Sequence, residues 1–383
     1  MLLLKNTSKP RFHDIDAVKR RPGMYINTTS PDHLACELID LAADKVMPGH
    51  GNRIAAILHE DNSLEVIDIG RGMPVEIDPK EGISGVELIM TQFYAEAGFS
   101  NRDHAFSGDL HGTGVMVVNA LSTFMEVKII QNGFVYFMRF ENGFKVQDLH
   151  IVNKAPSEER RTTIRFSPDK AYFTNQNFSK NTLQKTIRAK AAVCRGLIAV
   201  FFDKTRGRDG EEKWSFKNGL IDYIEEYLAN VKTVFNTPFT HETKIDDATV
   251  AWAVNWTDGR IEKLCESYVN RRRVPDGTHV DGFISGLLKS INEFCCLKKL
   301  LPEGVSISME DIEQNICFIL SIKLPAEEVS FASASKRLLS QRAFAISETA
   351  VRNAFTLWLE QHIKDGEQLI SSILLKKNIV NLP

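Results

Sequence analysis

Three short segments carry residue types that could bind a small charged ligand and act on it. In the predicted helix HLACELIDLAADKV (33–46), Glu37 lies one turn after His33 on the same helical face. A carboxylate held beside a water molecule can serve as a general base. The segment EVIDIGRGMP (65–74) places an aspartate before the glycines of a tight turn. The segment SGDLHGTG (107–114) is a glycine-rich start to an apolar helix, where backbone N–H groups could hold an anion.

Each segment also has an ordinary structural explanation. Gly70-Arg71-Gly72 could be a plain hairpin turn, the HGTG sequence a helix cap, and Glu37 a solvated charge. The order of the segments is more informative. A helical carboxylate, an Asp-x-Gly-x-Gly turn, a long glycine- and serine-bearing loop (98–114) and H-G-x-G before an apolar helix together supply the parts of an ATP pocket.

The composition is that of a globular protein. The 383 residues are 43% hydrophobic and 25% charged, with a formal net charge of −2, and their number predicts two domains. The sequence has no run of eighteen apolar residues, so we expect no membrane span. Six scattered cysteines show neither C-x-x-C spacing nor a disulfide framework, as in a cytoplasmic protein with reduced thiols. The near-neutral charge argues against a surface wholly covered by nucleic acid but allows a local basic patch.

Hydrophobic periodicity predicts a mixed α+β chain without internal repeats. Helices are predicted within 14–46 on both sides of RRPGMY, and at 85–96, 115–122, 220–231, 281–297 and 346–364. A β-hairpin is predicted at 53–70, and strands at 125–130, 134–140, 162–166, 248–256, 263–272 and 315–325. The polar, glycine-dotted segment DKTRGRDGEEK (203–213) is the best candidate for a linker between domains.

Four motifs resemble the ATPase region of bacterial type II topoisomerase B subunits, with topoisomerase IV first and gyrase next. They are DAVKRRPGMYI (16–26), EVIDIGRGMPVEI (65–77), SGDLHGTGVMVVNALS (107–122) and ESYVNRRRVPDGTHVDGF (266–283). The wider GHKL superfamily, which includes Hsp90, MutL and histidine kinases, shares the nucleotide pocket but lacks RRPGMYI and GTHVDGF. The resemblance implies a GHKL (Bergerat) α/β sandwich with an N-terminal arm over 1–215, followed by a ribosomal-S5-like transducer domain over 216–383.

The resemblance also implies a role for each matching residue. Glu37 would be the general base, His33 would orient it, and Lys336 would reach the γ-phosphate from the second domain. Asp68 would accept a hydrogen bond from the adenine amino group, with Thr162 completing this contact. The base would be walled by Gly72, Met73 and Pro74, and the phosphates wrapped by His111, Gly112, Thr113, Gly114 and Val115.

The implied cofactors are ATP and Mg²⁺. The implied partners are DNA, a topoisomerase A subunit and a second copy of the B subunit, with no membrane and a cytoplasmic location. The chain lacks an acidic box of the EGDS type, so we expect DNA cleavage to be encoded elsewhere, with the strand-breaking tyrosine on the A subunit. This chain would then be the amino-terminal part of a longer protein.

The sequence departs from the family pattern around the metal and the phosphates. Leu41 stands where the family has the asparagine that holds Mg²⁺, and leucine offers no oxygen ligand. Lys45 replaces a glutamate that pairs with the arginine of the G-R-G turn, here Arg71. Further replacements are Gly98 for a lysine, Asp109 for a glycine, Gln131 for an arginine and Ala334 for a glutamine.

Two functional hypotheses therefore remain open at this point. The chain is either an ATP-hydrolysing gate of a topoisomerase IV-like enzyme, or a divergent member with weak or absent hydrolysis that acts in dimerisation and DNA guidance. A third class, a chaperone of the Hsp90 type, is disfavoured by the motifs of the second half.

Overall fold

The computed structural model describes residues 14–46, 51–93, 95, 114–205, 210–259, 262–332 and 337–376. These residues form two compact units. The first unit holds the described residues up to Lys190 together with Leu197–Trp214, and the second holds Ala191–Gly196 and the described residues from Ser215 onward. Each unit combines helices with a β-sheet, which confirms the predicted α+β class.

In the first unit, helices cover an eight-stranded sheet. The helices are α1 (Asp14–Arg20), α2 (Asp32–Lys45), α3 (Gly85–Thr91), α4 (Gly114–Ala120) and α5 (Lys180–Val193), whose last three residues belong to the second unit, with 3-10 turns at Pro22–Met24 and Lys170–Tyr172. The strands are β1 (Arg53–Leu58), β2 (Leu64–Ile69), β3 (Ser122–Gln131), β4 (Phe134–Glu141), β5 (Phe144–Lys154), β6 (Arg161–Pro168), β7 (Ile198–Asp203) and β8 (Gly210–Trp214). Their order is β5-β4-β3-β6-β2-β1-β7-β8, and only the β1–β7 pair among them is parallel.

Tight turns built on asparagine set the register of this sheet. The predicted hairpin at 53–70 is confirmed as β1 and β2, and Asn62 in its loop has a φ of 59°. The turns after β3 and β4 are Asn132-Gly133 and Asn142-Gly143, with all four residues at positive φ. Asparagine and glycine tolerate this backbone region, which two-residue hairpin turns require.

The prediction of a linker at 203–213 is wrong. Strand β7 pairs with β8 from Asp203 opposite Gly210 to Ala199 opposite Trp214, so Asp203 and residues 210–213 of the segment belong to strands at the edge of the sheet. Edge strands of natural proteins often carry charges that discourage pairing with other chains. Strand β8 (GEEKW) is polar for this reason, and its composition therefore resembles that of a linker.

In the second unit, long helices pack on a five-stranded sheet. The helices are α6 (Leu220–Leu228), α7 (Thr278–Lys298), α8 (Met309–Glu313), α9 (Gln341–Gln361) and α10 (Ile363–Lys376), with a 3-10 turn at Ala326–Glu328. The strands are β9 (Phe239–Ile245), β10 (Ala248–Trp256), β11 (Cys265–Val269), β12 (Arg272–Arg273) and β13 (Ile316–Lys323), in the order β12-β11-β13-β10-β9.

Two predicted elements of this unit differ from the observed ones. The strand predicted at 263–272 is a short hairpin, β11 and β12, because Asn270 and Arg271 adopt left-handed φ values of 47° and 68°. The helix predicted at 346–364 begins at Gln341, because the Ser340 hydroxyl accepts a hydrogen bond from the Ala343 N–H (3.2 Å) and so caps the helix. It ends at Gln361, and α10 follows.

Aromatic side chains fill the core between this sheet and its helices. Trp252, Trp256, Phe283 and Phe355 are each at most 1% exposed. The indole N–H of Trp256 donates to the Ile312 carbonyl (2.8 Å), so this large side chain is buried without losing its hydrogen bond.

Glycines let α7 and α9 approach closely. A Cβ atom on Gly282 would lie 2.3 Å from the Phe344 carbonyl oxygen, and one on Gly286 would lie 2.7 Å from the Glu348 carbonyl oxygen. Both contacts are with backbone atoms, which cannot move aside as a flexible side chain can. Within the described residues, no helix has the length and apolarity to cross a membrane.

We expect Gly282→Ala to lower the free energy of unfolding by about 1–3 kcal/mol, since the helix pair must separate to admit the methyl group. This loss exceeds the gain of up to about 1 kcal/mol from the helix propensity of alanine. Thermal and urea unfolding would measure the effect. Gly23→Ala is the matched control because no atom lies within 4 Å of its added Cβ. Equal stability of Gly282→Ala and the unaltered chain would contradict the close approach of the helices.

Candidate functional site

One face of α2 carries the candidate general base. His33, Glu37, Leu41 and Lys45 follow one another at four-residue intervals, so they share a stripe along the helix. His33 Nε2 lies 3.3 Å from Glu37 Oε1, and the backbone N–H of Asn27 donates to His33 Nδ1 (3.0 Å). Because Nδ1 is an acceptor, Nε2 carries the proton directed at Glu37. The carboxylate, 7% exposed, is thus held in place by an oriented imidazole.

An adjoining face of α2 is anchored to α5 by buried polar contacts. Lys190 Nζ lies 2.5 Å from Asp40 Oδ1, with the two side chains only 2% and 12% exposed. Cys36 Sγ lies 3.7 Å from Thr186 Oγ1, and burial, with Asp40 nearby, raises the pKa of the Cys36 thiol to about 11. This cysteine is therefore a neutral packing group at physiological pH. This ion pair was not predicted from the sequence. The one feature that indicates it there is the lysine inside the apolar run AKAAV.

Asp68 and Thr162 face each other inside the sheet. They are register partners in the antiparallel pair β2–β6, and they are 3% and 1% exposed. The Thr162 hydroxyl is close enough to favour the ionised carboxylate. Yet within the described part of the chain, no hydrogen bond of good geometry reaches Asp68 Oδ1 or Thr162 Oγ1. Buried polar atoms are normally hydrogen-bonded, so a bound ligand is the natural partner for these two.

Burial and nearby charges act on Asp68 in opposite directions. Burial raises the pKa of the carboxyl from 3.8 to about 6, because the charged form loses its hydration. Lys45, the Thr162 hydroxyl, the Gly70 N–H and Arg71 all favour the charged form and limit this rise. At neutral pH the side chain is therefore a carboxylate that can accept a hydrogen bond from an amino group.

The turn after β2 needs glycine at two positions. A Cβ on Gly70 would lie 2.5 Å from the Lys45 carbonyl oxygen and 2.9 Å from Asp68 Oδ1. Gly72 has a φ of +83°, and a Cβ there would lie 2.3 Å from Gln131 Oε1. The glycines thus let the turn run against the end of α2 and along β3.

The residues after the turn are fixed from the other side. Met73 is 3% exposed, and the Pro74 carbonyl accepts a hydrogen bond from the Val86 N–H (2.9 Å). A Cβ on Gly85 would lie 2.7 Å from Pro74 Cβ, which shows how closely α3 approaches. The segment from Gly72 to Pro74 is therefore packed against β3 and α3.

Part of the predicted site can be located and part cannot. Gly114 and Val115 are buried at the start of α4, which packs against α2, and α2 also contacts β2. The helix that carries Glu37 therefore contacts both the strand that carries Asp68 and the helix that begins at Gly114. The predicted residues His111, Gly112, Thr113 and Lys336, and the departures Gly98, Asp109 and Ala334, lie outside the described residues.

The described residues do not provide a magnesium site at the predicted position. Leu41 is 6% exposed and lies on the Glu37 face of α2, where it presents only an apolar surface. No group of three or more His, Cys, Asp or Glu side chains that could hold a metal occurs among the residues that the structure describes. A metal here would depend on ligands other than residue 41.

Comparison with known proteins gives consistent matches over both units. The family model described as DNA gyrase B matches residues 219–379. The chain is 43% identical to the B subunit of DNA topoisomerase 4 from Pseudomonas aeruginosa and 42% identical to that from Escherichia coli, over 93% of the chain and 56% of each relative. The chain thus spans about half the length of the curated relatives that it matches.

Solved structures of similar size match almost end to end. The ATP-binding domain of topoisomerase IV from Francisella tularensis, solved with a small-molecule inhibitor, has 33% identity and a TM-score of 0.74, with 94% of this chain and 95% of that chain covered. The 43K ATPase domain of Thermus thermophilus gyrase B, solved with an aminocoumarin, has 27% identity and a TM-score of 0.72, with 94% of each chain covered. The resemblance found in the sequence is confirmed: the chain belongs to the family of type II topoisomerase B subunits, and it corresponds to their ATP-binding region.

Proposed function

We propose that this chain binds and hydrolyses ATP as the amino-terminal part of a topoisomerase IV-like enzyme subunit. The observation that carries the proposal is the pair of buried atoms, Asp68 Oδ1 and Thr162 Oγ1, that lack a hydrogen-bond partner within the described chain. A carboxylate acceptor beside a hydroxyl, which can donate or accept, matches the amino group and the adjacent ring nitrogen of adenine. Guanine presents a carbonyl where adenine has its amino group, and a carboxylate would repel it.

Glu37 is the residue that we assign to the reaction with water. Its carboxylate is buried and held by His33, so it can take a proton from a water molecule placed in line with the γ-phosphate. In the absence of bulk water, such a base works from a fixed position and needs no reorganisation. The family resemblance assigns the phosphates to His111, Gly112, Thr113, Gly114 and Val115, and the γ-phosphate also to Lys336.

The two units would divide the work. We assign residues 1–215 to nucleotide binding and residues 216–383 to the transducer domain, the part that the gyrase B family model matches. ATP would join two copies of the chain into an entry gate for a DNA duplex, hydrolysis would reopen the gate, and a separate A subunit would cut the DNA. These partners are the ones that the family resemblance implies, and the chain spans about half the length of its relatives.

Leu41 favours a second candidate function, a member with weak or absent hydrolysis. An apolar side chain at the predicted ligand position removes one oxygen from any metal that accompanies the nucleotide. Nucleotide binding at Asp68 does not depend on that position. The fold could therefore still respond to ATP as a dimerisation and DNA-guiding module with slow turnover.

Titration calorimetry with ATP and a phosphate-release assay test the main proposal. We expect the unaltered chain to bind ATP, and Glu37→Ala to retain binding while losing turnover by about 100-fold or more, as for a general base. Glu65→Ala is the matched control, because Glu65 of β2 also pairs with a histidine, His59 (3.1 Å), and should be dispensable. An absence of ATP binding at millimolar concentration would refute the proposal.

The burial of Asp68 predicts a conflict between stability and binding. Its pKa is raised from 3.8 to about 6, so the folded state holds the proton more tightly than the unfolded state, and stability falls as pH rises through this range. The cost at pH 8 is at most about 3 kcal/mol. Asp68→Asn should therefore be more stable than the unaltered chain at pH 8 by about 1–3 kcal/mol, equally stable at pH 4, and impaired in ATP binding.

Urea unfolding at both pH values would measure this effect. Asp61→Asn is a control for which the opposite change in stability is expected. Although burial opposes the change, hydrogen bonds from Ser63 and the charge of Arg165 lower the pKa of Asp61, so its replacement should cost stability at pH 8. If the stability difference between Asp68→Asn and the unaltered chain is instead the same at pH 4 and at pH 8, burial does not disfavour the charged carboxylate.

Leu41→Asn distinguishes the two candidate functions. If the missing oxygen limits turnover, the amide should raise Mg²⁺-dependent hydrolysis about tenfold or more, since a charge-assisted contact contributes roughly 1–3 kcal/mol. Leu41→Ala is the matched control because it opens the same space without supplying an oxygen. Hydrolysis that is already fast in the unaltered chain and unchanged in Leu41→Asn would rule out the second candidate function.

A further inference from the structure

Lys45 is a buried lysine at the end of α2 that the general mechanism does not use. Its side chain is 3% exposed, and Nζ donates to the Gly72 carbonyl oxygen at 3.4 Å. The Lys45 carbonyl oxygen in turn accepts a hydrogen bond from the Arg71 N–H (3.2 Å). An ammonium group loses most of its hydration when it is buried, so its position calls for a compensating interaction.

The backbone at Lys45 lies beside Asp68, and the ammonium of Lys45 is bonded to Gly72 in the turn that follows Asp68. The Lys45 carbonyl oxygen and Asp68 Oδ1 lie 2.5 Å and 2.9 Å from one and the same point, the Cβ position of Gly70. The groups that favour ionised Asp68 come from three elements: Lys45 from α2, Thr162 from β6, and Gly70 and Arg71 from the turn. The strongest of these influences is the charge of Lys45.

We propose that Lys45 is a positioning residue for base recognition, whose buried ammonium keeps Asp68 a carboxylate and so makes the pocket select a purine with an amino group. The inference rests on the proposed function, since it concerns the same pocket. A neutral carboxylic acid would instead offer a proton and could pair with the carbonyl of a hypoxanthine base. Thr162 would suit either base, because a hydroxyl both donates and accepts.

The ammonium also fixes the wall of the pocket. Its bond to the Gly72 carbonyl holds the turn that leads into Met73 and Pro74, the predicted wall of the base site. Lys45 therefore acts both on the charge of Asp68 and on the position of the turn at Gly72. Its two actions are separable, because the charge acts on Asp68 and the N–H donor acts on Gly72.

The test measures binding of ATP and of inosine triphosphate to the full chain by calorimetry between pH 5.5 and pH 9. Lys45→Gln keeps an N–H donor for Gly72 but removes the charge. We expect its ATP-binding midpoint to rise by about one pH unit or more, because an opposite charge nearby lowers a carboxyl pKa by about that amount. ATP affinity at pH 7 should fall about twofold for a shift of one pH unit and about tenfold for a shift of two, the preference over inosine triphosphate should shrink, and both should recover at pH 9.

Two controls separate charge from structure. Lys45→Arg keeps the charge and should preserve the preference for ATP. Lys128→Gln removes the same charge from an exposed position on β3 and should change the binding of neither nucleotide. If Lys45→Gln lowers the affinity for both nucleotides equally at every pH, Lys45 has only a structural role and the inference is overturned.

The remaining outcomes are also decisive. An unchanged pH profile in Lys45→Gln overturns the inference alone, since ATP binding by the unaltered chain would still support the proposed function. A failure of the unaltered chain to bind ATP overturns both. Should Lys45→Gln fail to fold, Lys45→Met removes the same charge while filling the buried space, and its ATP-binding midpoint should rise in the same way. An unshifted midpoint in that variant would overturn the inference.

Discussion

The burial of one carboxylate in the middle of a β-sheet is the constraint on which the rest of the first unit depends. Asp68 points inward from β2 opposite Thr162, where a charged group can persist only if its surroundings compensate for lost water. The compensation is incomplete within the described chain, because Asp68 Oδ1 has no hydrogen-bond partner there. A site that is complete only when a ligand arrives is less stable than it could be, which is a common property of binding sites.

The helix α2 connects this carboxylate to the candidate chemistry. One face carries Glu37 and, two turns later, Lys45 beside the glycine turn, and an adjoining face is tied to α5 through Asp40 and Lys190. Breaking a buried ion pair by removing one partner typically costs about 3–5 kcal/mol, so rotation of α2 about its axis is strongly opposed. Glu37 and Lys45 thus keep a fixed spacing along one rigid element.

Local rules made much of this arrangement predictable from the sequence, whereas the burial of side chains did not follow from them. The hairpin of β1 and β2 and the α2 stripe each have a turn or periodic signal. The edge hairpin at 203–213 was misread because charged edge strands and linkers share a composition. A lysine after an acidic helix suggests a solvated charge, and only the tertiary structure shows that Lys45 is enclosed beside Asp68. The effect of one charged side chain on another depends strongly on burial. It therefore cannot be predicted before the packed fold is known.

In the proposed function, base recognition and metal binding draw on different residues. Asp68, Thr162 and the glycine turn form an enclosed polar site, whereas Leu41 places an apolar surface two turns away from His33 on the same stripe. Losing a metal ligand affects the charge that develops on the phosphates, while the hydrogen bonds to the base act equally before and during the reaction. Changes at Leu41 should therefore act mainly on the rate of hydrolysis, and changes around Asp68 mainly on affinity. A gate that needs ATP chiefly in order to close could tolerate the first kind of change far better than the second.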